Sequence, residues 1–407
     1  MAGVERGVVI EGVEFDEELG ELVVSCRLRR GAGRCCGRCG RRCGRYDQGE
    51  GRRRWRALDA GTIRVFIEAD APRVACPDHG VTVAAVPWAR HGTGHTRVFD
   101  DQVAWLVTHT SKSAVVEVMR IAWRTVGAVA ARVVADARAV RDPFDGLTRI
   151  GIDEISYRRG HQYLMVVVDH DTGRLVWVAD GHDRKTLQGF FDLLGPERAA
   201  KIRLVSADAA EWIAACALDA CENATVCLDP FHIVRWASRA LDVVRREVWN
   251  LLRRLGAAGQ AAHLKGCRYA LWKNPEDLTD RQQTKLAWIA NHNSHLYRAY
   301  LLKEQLRLVF QHRGREAIAM LDAWLAWARR SQIPAFVALY HQINHHRTGI
   351  VATLTHGLSN GLVESVNTKL RLITRIAYGF RSTDNLIALC LLDRGGHCPP
   401  LPGRHPA

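Results

Sequence analysis

No stretch of the 407-residue chain reaches about 18 consecutive apolar residues, so nothing in it reads as a membrane span. Its start, Met1-Ala-Gly-Val-Glu-Arg6, lacks a basic-then-apolar leader pattern, and a cytoplasmic protein is expected. No repeat period is visible. Acidic residues are in short supply: 43 Asp and Glu face 57 Lys and Arg, a net charge of +14 and a pI near 9.5. That balance points to a polyanionic partner, most commonly a phosphate backbone, although a membrane surface also attracts basic charge. A hydrophobic fraction of 47% and a charged fraction of 25% are ordinary for folded domains and argue against bulk disorder. The length suits two to four domains.

The twelve cysteines are unevenly spread, and six fall between Cys26 and Cys76. In a reducing compartment such clustering favours metal ligands over disulfides. Cys36-x2-Cys39 and Cys76-Pro-Asp-His79 are two close pairs far apart in sequence, a pattern that suits one tetrahedral Zn2+. The expected ligands are Cys36, Cys39, Cys76 and His79, with Cys35 and Cys43 as rivals. Between the pairs, Ile63–Glu68 alternates as a strand. From Arg27 to Arg56 twelve arginines face two acids, and Arg52, Arg53 and Arg54 are expected to meet phosphates. A zinc-binding unit is placed at 1–90.

Residues 91–143 read as three helices. Phe99–Thr108 has apolar positions at helical spacing, and Ser111-Lys-Ser113 starts a short helix ending near Met119. After a turn at Arg120–Trp123, Arg124–Val140 forms a longer one. Short helix, turn, longer helix suggests a helix-turn-helix DNA reader, with Arg124 at the front of its last helix. Asp142-Pro143 ends the segment.

A second domain opens near 144. Arg149-Ile-Gly-Ile-Asp-Glu-Ile155, Gln162–Asp169 and Arg174–Ala179 read as an antiparallel meander. A helix over Lys185–Leu194, a strand over Lys201–Ala207, a helix from Asp208 to about Cys221 and a strand over Ala224–Leu228 follow. Three hairpin strands and then helix–strand alternation is the order of the ribonuclease H-like fold. Asp153 lies on its first strand, Asp208 just after its fourth, and Glu364 in Ser359-Asn-Gly-Leu-Val-Glu-Ser-Val-Asn367, a helix start. Three carboxylates so placed can hold two divalent cations (Mg2+ or Mn2+) over a phosphodiester, as in-line phosphoryl transfer requires. Glu154 and Glu211 are near neighbours, and strand alternation turns Glu154 to the opposite face from Asp153.

The catalytic core is expected at 144–232 and 351–395, interrupted by an all-helical insertion at 233–350 and followed by a disordered tail at 396–407. Within the insertion Val234–Leu255, Thr284–Val309 and Glu316–Ser331 show helical spacing. Trp249, Trp272, Trp288, Trp324 and Trp327 read as core rather than as nucleobase platforms. Asp229-x2-His232 follows the fifth strand and reads either as a group that steers DNA or as a helix cap with a satisfied histidine. On and after the Glu364 helix, Asn360, Asn367, Lys369, Arg371, Arg375 and Arg381 are candidate DNA contacts. The expected class is a multidomain α/β protein.

Ile150-Gly-Ile-Asp-Glu-Ile-Ser156 with Gly160-His161, Asp229-Pro-Phe-His-Ile-Val234, and Ser359–Asn367 running on to Arg375-Ile-Ala-Tyr-Gly-Phe-Arg381 resemble bacterial insertion-sequence transposases of the ISL-three family, a group of DDE enzymes. The zinc pairs and Pro87-Trp-Ala89 match that family's amino-terminal finger, and the likeness spans roughly residues 30 to 395. It implies a metal-dependent enzyme that cuts and rejoins double-stranded DNA at inverted repeats and works as an oligomer when it synapses two ends. It implies the ligand roles of Asp153, Asp208 and Glu364 as well. A zinc-finger and helix-turn-helix regulator without catalysis, and a structure-specific nuclease of the same fold, are the competing readings.

Overall fold

A computed structural model of the chain describes residues 7–29, 31–158, 160–377, 380 and 382–404. Arg381, one of the expected DNA contacts, lies outside the described residues. The chain forms two compact units: Met1–Asp142 with Ile373–Ala407, and Pro143–Leu372.

In the first unit β1 (Val8–Asp16) and β2 (Glu21–Leu28) form a hairpin. Asp16 accepts from the Leu19 amide at its turn, and Gly20 takes a positive φ there. After β3 (Gly44–Asp47) come β4 (Arg52–Arg56) and β5 (Arg64–Asp70). These complete a four-stranded sheet in the order β1-β2-β5-β4. Its inner face buries Val24, Cys26, Trp55, Val65 and Ile67, with Trp55 edge-on to Trp88 at 5.4 Å. Arg52, Arg53 and Arg54 therefore lie on strand β4. Arg52 and Arg54 bind the two oxygens of Glu68 across the ladder at 3.0 and 2.7 Å. A small sheet, β3 with β6 (Arg73–Cys76) and β7 (Gly80–Val83), carries the second zinc pair.

Helices α1 (Arg97–His109), α2 (Lys112–Met119) and α3 (Trp123–Val140) follow where periodicity placed them. Thr96 and Ser111 cap the first two through their hydroxyls. Arg120, in the left-handed region at φ 52°, turns the chain between α2 and α3. Asp100 of α1 is fully buried and is tied to Arg132 of α3 at 2.9 Å.

The second unit is built on a sheet of β8 (Arg149–Arg158), β9 (Gln162–Asp169), β10 (Leu175–Asp180), β11 (Leu204–Ala207) and β12 (Thr225–Leu228). The order is β10-β9-β8-β11-β12. β8, β9 and β10 are antiparallel neighbours, whereas β8–β11 and β11–β12 run parallel. β9 is buried along most of its length, as a central apolar strand with both faces covered must be. α4 (Arg184–Leu194), the short α5 (Pro196–Ala199) and α6 (Glu211–Ala220) connect the later strands.

A helical block then separates β12 from the Glu364 helix. It comprises α7 (Pro230–Arg254), α8 (Ala258–Lys265), α9 (Arg268–Trp272), α10 (Asp280–His292), α11 (Ser294–Val309), α12 (Gly314–Arg330), α13 (Pro334–His345) and α14 (Arg347–His356). The single helix expected over Thr284–Val309 is broken at Asn293, whose side chain caps α11 by accepting from the Leu296 amide at 2.8 Å. Trp324 is fully buried, as expected, but Trp272 is 38% exposed. α14 packs on β12: Thr353 donates to the Leu228 carbonyl at 2.7 Å, and Gly349 leaves no room for a Cβ beside Leu228.

α15 (Gly361–Ile376) carries Glu364. α16 (Thr383–Arg394) packs on α3 in the first unit, where Gly127 admits Asn385. Past α16 the chain has no regular structure through Arg404, yet His397 is buried and the Cys398 thiol lies 3.5 Å from the Thr108 hydroxyl.

Candidate active site and zinc centre

The parallel register of β8 and β11 pairs Arg149 with Leu204, Ile150 with Val205 and Gly151 with Ser206. Continued two residues, it sets Asp208 opposite Asp153. α15 reaches the same spot, because Asn367 donates from Nδ2 to Asp153 Oδ2 at 2.8 Å. Glu364 lies one turn before Asn367 on that helix. The close approach depends on Gly151, where a Cβ would collide with Val363 of α15 and crowd His170 and Ser206. A glycine inside a continuous apolar strand is the sequence signal for such an approach.

Burial pushes the Asp153 carboxyl up to about 6, and the negative charges of Asp208 and Glu364 add to the effect. Its other oxygen accepts from the Glu154 amide at 2.8 Å. Glu154 is itself raised, chiefly by burial and then by Asp208. Asn367 Oδ1 is buried and has no hydrogen-bond partner. Carboxylates crowded against each other beside an orphaned amide oxygen suit a hard divalent cation, which takes oxygen ligands and relieves the repulsion.

A polar network underlies these groups. Ser206 donates to Asn360 Oδ1, so its hydroxyl accepts from His170 Nε2 at 2.7 Å. The Asn360 side chain donates to the Ile152 carbonyl at 3.4 Å, and its backbone amide donates to Asp229 at 3.2 Å. The other Asp229 oxygen meets His232 Nδ1 at 3.0 Å. This bond raises the His232 pKa above that of a free imidazole, helped by the charges of Asp208 and Asp153.

Asp229 stands at the N-cap position of α7 but makes no capping bond. Three residues expected to contact DNA are therefore inside the protein: Asp229, Asn360 and Asn367 are 3%, 1% and 1% exposed. Their hydrogen-bond partners are other residues of this chain. Lys369, Arg371 and Arg375 are exposed on α15, and Arg375 falls past Leu372, in the first unit. Glu211 faces away to His345, at 2.9 Å. Ser206, His170 and Gly151 were not marked by the sequence, since only the fold brings them beside Asn360 and α15.

In the first unit the Cys36, Cys39, Cys76 and His79 ligand atoms all lie within 4.8 Å of one another. Cys39 Sγ to Cys76 Sγ is 3.8 Å, Cys36 Sγ to His79 Nδ1 is 3.8 Å, and Cys76 Sγ to His79 Nδ1 is 3.6 Å. A tetrahedron with bonds of about 2.3 Å to sulfur and 2.0–2.1 Å to nitrogen has edges of about 3.6–3.8 Å. The site therefore fits zinc. The His79 hydrogen bond draws the Cys76 thiol down to about 6, toward the thiolate that zinc needs. Of the rivals, Cys43 donates to the Arg41 carbonyl at 3.2 Å, and neither it nor Cys35 joins the cluster.

The basic residues of this unit divide in two. Arg52 and Arg54 are held by Glu68, and Arg53 donates to the Thr93 carbonyl at 3.1 Å and lies over Trp55. Arg124, in the first turn of α3, is exposed and has no partner among the described residues.

A zinc finger, a three-helix unit and an α/β unit with clustered carboxylates mark a DNA-processing enzyme as the class. A family described as "Transposase" matches residues 150–390, "Helix-turn-helix domain of transposase family ISL3" matches 84–134, and "zinc-finger of transposase IS204/IS1001/IS1096/IS1165" matches 32–79. The transposase for insertion sequence element IS1557, from two strains of Mycobacterium tuberculosis, is 57% identical over 428 residues, covering 100% of this chain and 96% of that protein. The transposase for insertion sequence element IS1001 of Bordetella parapertussis is 27% identical over 337 residues, 82% of each chain. The chain belongs to the ISL3 family of insertion-sequence transposases, DNA-binding enzymes that cut and transfer DNA. Among the described residues no helix is long and apolar enough to cross a membrane.

Proposed function

We propose that this protein binds the terminal inverted repeats of its own insertion sequence and catalyses metal-dependent strand cleavage and strand transfer. The observation that carries the proposal is the meeting of Asp153, Asp208 and the Glu364 helix at one point of the sheet. The sheet order and the alternation after β10 favour a ribonuclease H-like core, with 233–350 as an all-helical insertion. The proposed domains are a zinc-binding unit at 1–90, a helix-turn-helix at 91–143, and a core at 144–232 and 351–395.

Asp153, Asp208 and Glu364 would hold two Mg2+ or Mn2+ ions. Bound there, the ions lower the pKa of an attacking water or 3′-hydroxyl and stabilise the leaving oxygen. The chain's own residues do the rest. Asn367 fixes the Asp153 rotamer, and Asn360 ties the start of α15 to β11 through Ser206 and to β8 through the Ile152 carbonyl. Asp229 orients His232 through its hydrogen bond and raises the imidazole pKa, and the charges of Asp208 and Asp153 add to that rise. Cys36, Cys39, Cys76 and His79 would hold the structural zinc. Arg124, Lys369, Arg371 and Arg375 supply cations for phosphates. Synapsis of two ends calls for at least a dimer on DNA, and DNA binding would associate the protein with the nucleoid.

A labelled element-end duplex incubated with Mg2+ or Mn2+ tests this. Cleavage at the repeat boundary is expected, and Asp153→Asn and Glu364→Gln should abolish it while DNA binding persists. Cleavage that survives either substitution would mean that the active site lies elsewhere. Binding without cleavage in the wild type would favour a regulator.

A further inference from the structure

A cleft of ≈730 Å³ lies between α7, α9 and α11 in the second unit, within the range of about 300–1,000 Å³ typical of small-ligand sites. It adjoins a smaller hollow that reaches Glu364 and Asp229, and the two share Pro230, Phe231 and Phe310. Its lining is unusual for a surface. Phe231 is 59% exposed and Trp272 is 38% exposed, although large aromatic rings normally bury. Phe310 adds a third ring. Arg268 lies 3.9 Å over the Trp272 ring, which stiffens it.

Cations border the rings. Arg235 and Arg239 extend along the same face of α7 as Phe231, at helical spacing, and both are exposed without a hydrogen-bond or ion-pair partner among the described residues. Arg307 is held by Glu276 and Glu304 and belongs to the wall. Exposed rings flanked by uncompensated arginines match the chemistry of a nucleotide, a flat π-face carried on a phosphate.

We propose that this cleft receives one unstacked nucleotide of the bound DNA, its base against Trp272, Phe231 and Phe310 and its phosphates on Arg235 and Arg239. The proposal rests on the DNA-cleaving function above for the identity of the ligand and for the neighbouring acidic site. An extrahelical nucleotide there lets the adjoining backbone bend toward Asp153, Asp208 and Glu364 without dragging a paired base along.

The test compares binding of the full-length protein, without divalent cations other than its zinc, to two duplexes of one arbitrary sequence. One duplex is fully paired and the other carries a three-nucleotide bubble. The wild type should prefer the bubble roughly tenfold, the weight of one stacked base. Trp272→Ala should remove most of that preference with little change for the paired duplex, and Trp272→Phe should keep it. Arg239→Gln should weaken the bubble complex more than the paired one and lower the salt dependence of log K for the bubble by about 1. Phe231→Ala repeats the first test should Trp272→Ala misfold.

Equal affinity of the wild type for both duplexes, or an equal loss for both in Trp272→Ala, overturns the proposal. Cleavage plays no part in this assay. Element ends that stay uncut in Mg2+ while the bubble preference stands count against the proposed function alone. Cutting without the preference counts against the cleft alone.

Discussion

Replacing Asp153 with Asn should make the Mg2+-free protein more stable, not less. The carboxyl is raised from 3.8 to about 6, so at pH 8 the folded protein carries an unfavourable ionisation of about 3 kcal/mol at this one group. The substitution removes that charge at nearly constant volume. Hydrogen bonding survives, because the new amide oxygen still accepts from the Glu154 amide while its NH2 turns to Asn367. Asn367 then flips, so that its Oδ1 accepts from the new NH2 while its own NH2 takes the position that had no partner. A net gain of about 2–3 kcal/mol corresponds to roughly 5–10 °C in the melting of a unit this size.

The sign of the pH dependence follows. A raised carboxyl pKa leaves the folded wild type protonated at low pH, so the variant's advantage is full above pH 6. It falls to about half at pH 5 and is gone below about pH 4. Saturating Mg2+ at about 100 times its Kd adds about 2.7 kcal/mol to the wild type alone and should close the gap. Calorimetry at pH 8 and pH 5, in Mg2+-free buffer that retains zinc, measures all of this. A variant less stable than the wild type at pH 8, or a difference unchanged at pH 5, would refute the reasoning.

Gly151→Ala should destabilise the second unit by about 1–3 kcal/mol, because the added methyl collides with Val363 where α15 meets β8; urea unfolding reports it. Cys39→Ser should reduce bound zinc from one per chain toward none by metal analysis and unfold the finger by circular dichroism, whereas Cys43→Ser should leave zinc bound. Arg124→Ala should lower the salt dependence of log K for DNA by about 1, whereas Arg52→Ala should not, because Glu68 already holds that guanidinium.

The succession of strands in the second unit was legible because β8, β9 and β10 are short apolar runs separated by turn residues, and period-two patterning is local. Asp153 and Asp208 could be placed for the same reason. The fate of Asp229, Asn360 and Asn367 could not be read. Each is polar and looks exposed in sequence, and each is buried by a partner more than 100 residues away. The partners of the β4 arginines were hidden in the same way. The Glu68 that holds Arg52 and Arg54 lies on the next strand, out of reach of any local count of charge. The break at Asn293 was visible in principle, since asparagine caps helices well, but the apolar period carries on across it. The exposure of Trp272 depends on where α9 ends, which periodicity does not fix.

The late helices have a consequence for how the molecule is made. Asp153 and Asp208 leave the ribosome long before Glu364, Asn360 and Asn367, and α3 leaves long before α16, which packs on it. A chain interrupted before Gly361 would own two of the three carboxylates and a DNA-binding unit missing the helix that covers Gly127. Neither half of the molecule is finished until the last tenth of the chain is translated. A prematurely stopped product thus lacks a complete α3 packing surface as well as a complete acidic site.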